Sequence, residues 1–219
     1  MSRLRERWLC VILPIVPWPA HAQAGFSAGA RAAVLTHRLD DSAGRSRAEG
    51  LVSGVVLELR LERGAEFALT ATTGSLDGSG QPSDDRDLTE VSARAGVRVA
   101  SWLVLDAGAA RRSYRTPQGR QLWTIGSVGA EVHVPFVGTA AHALLRGALL
   151  PLVSVNGLPR PTLALQTAAG VSYRFGVLSA SLRYELERVD FPARTTPRRL
   201  EQLSGVAVGL SIGLSGVDR

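Results

Sequence analysis

Cysteine is nearly missing from this chain. The single Cys10 lies in the N-terminal apolar stretch, outside any cleavage point a lipoprotein signal would use. The rest of the chain therefore has no disulfide, no thiol nucleophile and no cysteine metal site. Aromatics are scarce as well, at 5% of residues, which is thin for a soluble core of this size, where large rings carry much of the buried area. No stretch after the N-terminal region keeps a helical period of apolar residues. No serine sits in a G-x-S-x-G turn. The basic residues are scattered among acids, with no stripe for nucleic acid to follow.

What is present begins with an export pattern. A basic SRLRER precedes the apolar WLCVILPIVPWP and then AHAQA. The apolar run is too short and too rich in proline to span a bilayer as a helix, and Ala20, Ala22 and Ala24 satisfy the small-residue rule of a signal peptidase. Residues 1–22 are predicted to be a signal peptide, cut after Ala22 or Ala24, leaving 23–219 as a single domain. Removing 1–22 takes away Arg3, Arg5, Arg7 and Glu6 and lowers the formal charge from +6 to +4.

Period two then dominates. Ten candidate strands fall at about 25–37, 48–62, 65–76, 87–101, 103–115, 120–135, 141–155, 161–175, 177–191 and 201–215. Four connections read as tight turns, at Arg63-Gly64, Ser101-Trp102, Phe175-Gly176 and Phe136 to Thr139. The other five read as longer and polar: LDDSAGRSRAEG, LDGSGQPSDDRD, RTPQGRQ, VNGLPRP and FPARTTPRR. Short and long alternate along the chain. In an up-and-down barrel that alternation puts the short turns and both termini at one end and the loops at the other. Greek-key crossovers of a sandwich would mix the lengths.

The faces separate just as clearly. From Leu178 the apolar row is Leu178, Ala180, Leu182, Tyr184 and Leu186, against Ser179, Ser181, Arg183, Glu185 and Glu187. Residues 201–215 set Val206, Val208, Leu210, Ile212 and Leu214 against Gly205, Ala207, Gly209, Ser211 and Gly213. Residues 87–101 set Val91, Ala93, Ala95, Val97 and Val99 against Glu90, Arg94, Gly96 and Arg98. Glycine gains nothing on a solvent-facing strand, but in a narrow barrel small residues make room for long charged ones. Runs of about 12–15 residues also suit tilted membrane strands, which need about 9–11. The apolar face is therefore expected in lipid and the charged face in the lumen. There Arg183, Glu185 and Glu187 would pair with arginines such as Arg94, Arg98 and Arg174 and acids such as Glu58, Glu90 and Glu131.

From GFSAGARAAVLTHRLDD to GVAVGLSIGLSG the pattern resembles that of small bacterial outer-membrane β-barrel proteins. The expected fold is an all-β, up-and-down antiparallel transmembrane barrel of ten strands, with eight as the alternative count. Trp102, Trp123, Tyr114, Tyr173, Tyr184, Phe136, Phe175 and Phe191 are the candidates for interfacial girdles. The resemblance implies an outer-membrane location in a Gram-negative envelope. As partners it implies outer-membrane lipids, the barrel-assembly machinery and an extracellular ligand at the long loops.

The expected role is non-enzymatic: a structural or surface-interaction protein, or a very narrow pore. One alternative is a soluble lipocalin-like barrel binding an apolar ligand, with Leu178, Leu182 and Leu186 buried. Another is an outer-rim hydrolase, in which His37 would converge with Asp40, Asp41, Asp84 and Asp85 for general-base chemistry. His133, beside Glu131, and His142 read as ordinary hydrogen-bonded lumen residues, since two histidines make a poor metal site without further ligands. No catalytic, cofactor-binding or metal residue is assigned, and no cofactor is expected.

Overall fold

The computed structural model describes residues 24–41, 44–61, 64–78, 85–117, 119–138, 140–192 and 199–214. The export segment, both halves of the Arg63 turn except Gly64, and Asp84 lie outside them. Ten strands follow in chain order: β1 (Ala24–Asp41), β2 (Gly44–Leu61), β3 (Ala65–Gly78), β4 (Arg86–Ala100), β5 (Leu103–Thr116), β6 (Gly119–Val137), β7 (Ala141–Val155), β8 (Leu163–Phe175), β9 (Leu178–Phe191) and β10 (Arg199–Leu214). Each pairs antiparallel with its neighbours in sequence, and β1 pairs with β10, so the sheet closes into a barrel. Closure leaves no sheet edge open, which a wall in lipid requires. The count is ten.

The alternation decides the faces as the sequence implied. Leu178, Leu182 and Tyr184 point outward and are 50%, 48% and 49% exposed, while Glu187 of the opposite parity is buried. The same phase runs round the wall, with Leu51, Val55, Leu69, Val91, Leu145, Leu149 and Leu210 outside. A barrel with its apolar side chains outward and its charges inward is a transmembrane barrel of the outer-membrane kind. The lipocalin arrangement, with the leucines lining a cavity, is the reverse of what the chain adopts.

Gly205, Gly209 and Gly213 of β10 lie on the inward phase, where they let neighbouring side chains and backbone close up. A Cβ at Gly205 would run into the Val34 carbonyl and the Leu35 side chain. At the turns, Gly64 and Gly176 have φ of 79° and 61°, conformations that glycine supplies without strain.

Two loops expected from the sequence are absent. LDDSAGRSRAEG continues as a two-stranded ribbon, paired from Leu39–Ser46 through Asp40–Arg45 to Asp41–Gly44. RTPQGRQ closes tightly, with Thr116 opposite Gly119. Polar composition suggested loops because beyond the lipid the outward positions no longer need to be apolar, yet the ladder still satisfies the backbone. The connection at 156–162 stays irregular. The β7–β8 ladder ends at Leu149–Leu165, while β7 continues its pairing with β6 to Val155–Trp123. Pro151 sits in that stretch, where its missing N–H costs no ladder bond to β8.

Candidate functional site

The lumen is the concave feature of the molecule, and it is layered. Near the loop end the inward positions turn apolar. Leu35 of β1, Val52 of β2, Leu76 of β3, Leu88 of β4, Tyr114 of β5, Trp123 of β6, Val153 of β7, Ala164 of β8, Phe191 of β9 and Ala207 of β10 belong to one buried cluster. Every strand contributes. Four rings form a chain inside it: His37 stacks on Tyr114 with centroids 4.9 Å apart, Tyr114 meets Trp123 edge-on at 6.5 Å, and Trp123 meets Phe191 edge-on at 6.1 Å. β1 and β5 stand nearly opposite in the ring of strands, so the His37–Tyr114 stack bridges the lumen from wall to wall.

Toward the termini lies a layer of ion pairs. Arg112 donates to both carboxylate oxygens of Glu187, at 2.6 and 2.9 Å, and from Nε to Glu90. Arg146 is bidentate to Asp106, at 2.6 and 3.1 Å, and donates to the Gln166 carbonyl at 2.7 Å. Arg31 reaches Glu185 at 3.0 Å. Arg94 donates to Glu131 at 3.0 Å, His133 Nε2 lies 2.8 Å from the same carboxylate, and Arg183 stands 4.0 Å away. Buried carboxylates persist in a dry interior only when their oxygens are taken up in this way. Below the plug, between these pairs, is a polar cavity of about 260 Å³ lined by Arg31, Glu58, Arg94, Ser127, Arg183 and Ser211.

On the other side of the plug a smaller polar group closes the stack. Arg86 Nη1 contacts His37 Nδ1, and His37 Nε2 lies 3.2 Å from Glu201. An arginine can only donate, so Nδ1 accepts and the ring proton sits on Nε2, aimed at Glu201. Arg199 donates twice to the other oxygen of Glu201, at 2.6 and 2.8 Å.

These positions answer the sequence expectations one by one. His37 is buried in this group, whereas Asp40 pairs with the exposed Arg45 at 3.0 Å and Asp85 accepts the Gly78 N–H at 2.8 Å. Asp41 stands 3.7 Å from Arg199, the arginine that holds Glu201, so of the carboxylates expected around His37 it is Asp40 and Asp85 that are engaged elsewhere. His133 is a lumen histidine beside Glu131. Among the described residues no three His, Cys, Asp or Glu side chains gather to hold a metal.

Of the expected aromatic girdle, Trp102, Phe136 and Phe175 do stand exposed at the short turns, and Tyr173 packs against Phe175 with centroids 4.3 Å apart. Trp123, Tyr114 and Phe191 instead face inward and build the plug. Sequence reasoning also missed Arg31, Arg112, Arg146 and Asp106 as lumen charges. For Arg146 and Asp106 the signal was there, a lone charge inside the apolar runs LLRGALL and LVLDAGA.

No protein-family model matches the chain, and no curated protein matches it in sequence. Solved structures match it in fold. Neisserial surface protein A is 17% identical over 85% of this chain and 96% of that one, with a TM-score of 0.41. The translocator domain of the autotransporter NalP from Neisseria meningitidis is 15% identical, covering 86% and 88%, with a TM-score of 0.45. The KdgM porin is 10% identical, covering 82% and 98%, with a TM-score of 0.38. The likeness to each is one of barrel architecture at low identity. By its own closed ten-strand ladder, apolar exterior and charged lumen, the chain is an outer-membrane β-barrel.

Proposed function

We propose that this barrel is non-enzymatic and sealed toward its loop end, and that it serves as a structural or surface-interaction protein of the outer membrane, not as a general porin. The observation that carries this reading is the plug: all ten strands place a buried residue in one apolar cluster across the lumen. In this reading residues 1–22 direct export and the barrel-assembly machinery inserts the chain. The four short turns face the periplasm and the loop end meets an extracellular ligand. A dry apolar layer opposes ion passage, because an ion crossing it loses hydration and gains no partner.

The test is conductance of the refolded barrel in a planar bilayer. Wild type is expected to give no stepwise current, and the double variant Trp123→Ala, Phe191→Ala to give measurable steps through the space vacated by the two rings. A steady open channel in wild type would overturn the closed reading and favour the narrow pore.

A further inference from the structure

The ladders of the wall differ in length, and the one between β7 and β8 is the shortest: it stops at Leu149–Leu165, well before β7 ends at Val155. Beyond that pair the two strands part. Asn156 donates its N–H to the Leu122 carbonyl of β6, and Thr162 donates its own to the Asp190 carbonyl of β9. Backbone direction alternates along a strand, so Pro151 and Val153 turn their backbone groups toward β8, and Leu163 turns its groups toward β7. Val153 and Leu163 have no backbone partner there among the described residues, and Pro151 has no N–H to offer. The strands can therefore separate further without breaking a ladder bond. The outer flanks of this seam are apolar, with Leu149, Leu152 and Leu163 60%, 62% and 46% exposed. It opens at the loop-end edge of the lipid belt.

Behind the seam stands Leu150, the first residue past the last β7–β8 pair. It is buried in the apolar cluster and also lines the polar cavity beneath the plug, as does Gln166 of β8. Inside that cavity cations and acids are unevenly matched. Arg31, Arg94 and Arg183 line it and lean on two carboxylates, Glu185 and Glu131. Arg183 comes no nearer than 4.0 Å to Glu131 and donates no hydrogen bond among the described residues, and Arg31 Nε is buried without an acceptor. Glu58, the further acid on this side, is taken by Arg60 at 3.4 Å, while Glu90 and Glu187 share Arg112 on the plug side. The termini side of the cavity is left with one more guanidinium than it has carboxylates.

We infer that cavity and seam together hold a single-chain fatty acid, its carboxylate at Arg183 and Arg31 and its chain passing Leu150 to leave between β7 and β8 into lipid. Each half of the site selects one half of the ligand. Guanidiniums short of acceptors take a carboxylate. A cavity of about 260 Å³ is smaller than the roughly 300–1,000 Å³ that encloses a whole drug-sized ligand, so it houses the head and the start of the chain. The remainder lies in the apolar seam. A free carboxylate would leave the seam empty, and an uncharged chain would leave the guanidiniums unmatched. The site leaves the plug closed and needs only that the wall lies in lipid.

The experiment uses the refolded barrel in vesicles, with a fatty acid dibrominated at mid-chain as the probe, since bromine quenches tryptophan on contact. Trp102→Phe leaves Trp123, which pairs with Val155 beside the seam, as the one tryptophan after residue 22. Saturable quenching is expected. Arg183→Gln should weaken it about tenfold, the scale of one charge-assisted hydrogen bond. A short bismaleimide joining Leu152→Cys to Leu163→Cys should abolish it by closing the seam. The same bridge from Leu69→Cys to Ala93→Cys, opposite each other in the continuous β3–β4 ladder, should leave it unchanged. Each sample is first checked for the heat-dependent gel shift, so that quenching is read on folded barrels alone. Equal quenching by the methyl ester, by a brominated two-chain phosphatidylcholine, or by the fatty acid with the seam bridged would each overturn the site.

Discussion

Arg112 is the residue on which the lumen's charge balance turns. It is 4% exposed, with Glu187 from β9 on one side and Glu90 from β4 on the other. Removing it leaves two carboxylates, Glu187 and Glu90, without their shared cation in the narrow lumen. Arg112→Ala is expected to cost about 3–5 kcal/mol, whereas Arg112→Met with Glu187→Met should recover most of that loss, because the buried pair itself contributes little net stability. The midpoint of urea unfolding in vesicles measures both. A loss under about 1 kcal/mol for the single variant would mean that water reaches the pair and that the layer is not dry. Which residues point inward was legible from period two, and Arg183, Glu185 and Glu187 do so. Of their partners, Glu131 beside Arg183 was among those named from the sequence, but Arg31 for Glu185 and Arg112 for Glu187 were not. Arg112 and Glu187 lie on strands that stand nearly opposite in the barrel, so closure of the wall, and no local spacing, brings them together. Arg111 and Arg112 are also adjacent in AARRSY, and only the register decides which of them enters the lumen.

At the scale of the element, strand order and turn ends follow from the alternation, and the observed bounds stay within a few residues of those read from the sequence. The exceptions are informative. Between β1 and β2 a polar stretch was read as a loop, yet Arg38 faces Arg47 and Asp40 faces Arg45 in an unbroken ladder, with Ala48 fully buried against the interior. Amides of Leu39 and Ser46–Ala48 should therefore exchange with deuterium as slowly as those in the lipid-embedded wall, and much more slowly than those of residues 156–162. Exchange at the rate of 156–162 would restore the loop. The plug was hidden for a related reason. Leu35, Val52, Leu76 and Leu88 sit on the phase that elsewhere carries Arg and Glu, while beside Leu76 and Leu88 the outward phase carries Ser75, Asp77, Asp87 and Thr89, so near the loop end the polarity of the two phases inverts and alternation alone misassigns the layer. Where the inward phase is small instead, it is small because strands crowd there. Gly205→Val is expected to destabilise the barrel by about 1–3 kcal/mol through contact with the Val34 carbonyl and Leu35. The temperature at which the heat-sensitive gel band is lost would show it.

Over the whole molecule, one physical preference sets sequence, wall and interior together. The chain holds its apolar side chains outward because lipid receives them, and it fills its lumen with ion pairs and a ring-bridged plug because the interior of a barrel this narrow is largely occupied by side chains. That arrangement predicts responses of different size to one substitution in two solvents. Leu182 lies outward in the middle of β9, 48% exposed, between Ala180 and Tyr184. Arginine there needs no space inside the barrel and breaks no hydrogen bond of the ladder. Leu182→Arg should cost about 2–4 kcal/mol in a vesicle bilayer, as a charge near the midplane does, and far less in detergent, whose headgroups can rearrange around it. Leu182→Ala, which loses packing but adds no charge, should lie close to wild type in both. Unfolding midpoints in vesicles and in micelles separate these cases. A penalty of the same size in both media would mean that Leu182 packs against protein, and the apolar wall would then belong to an interface between chains instead of to lipid.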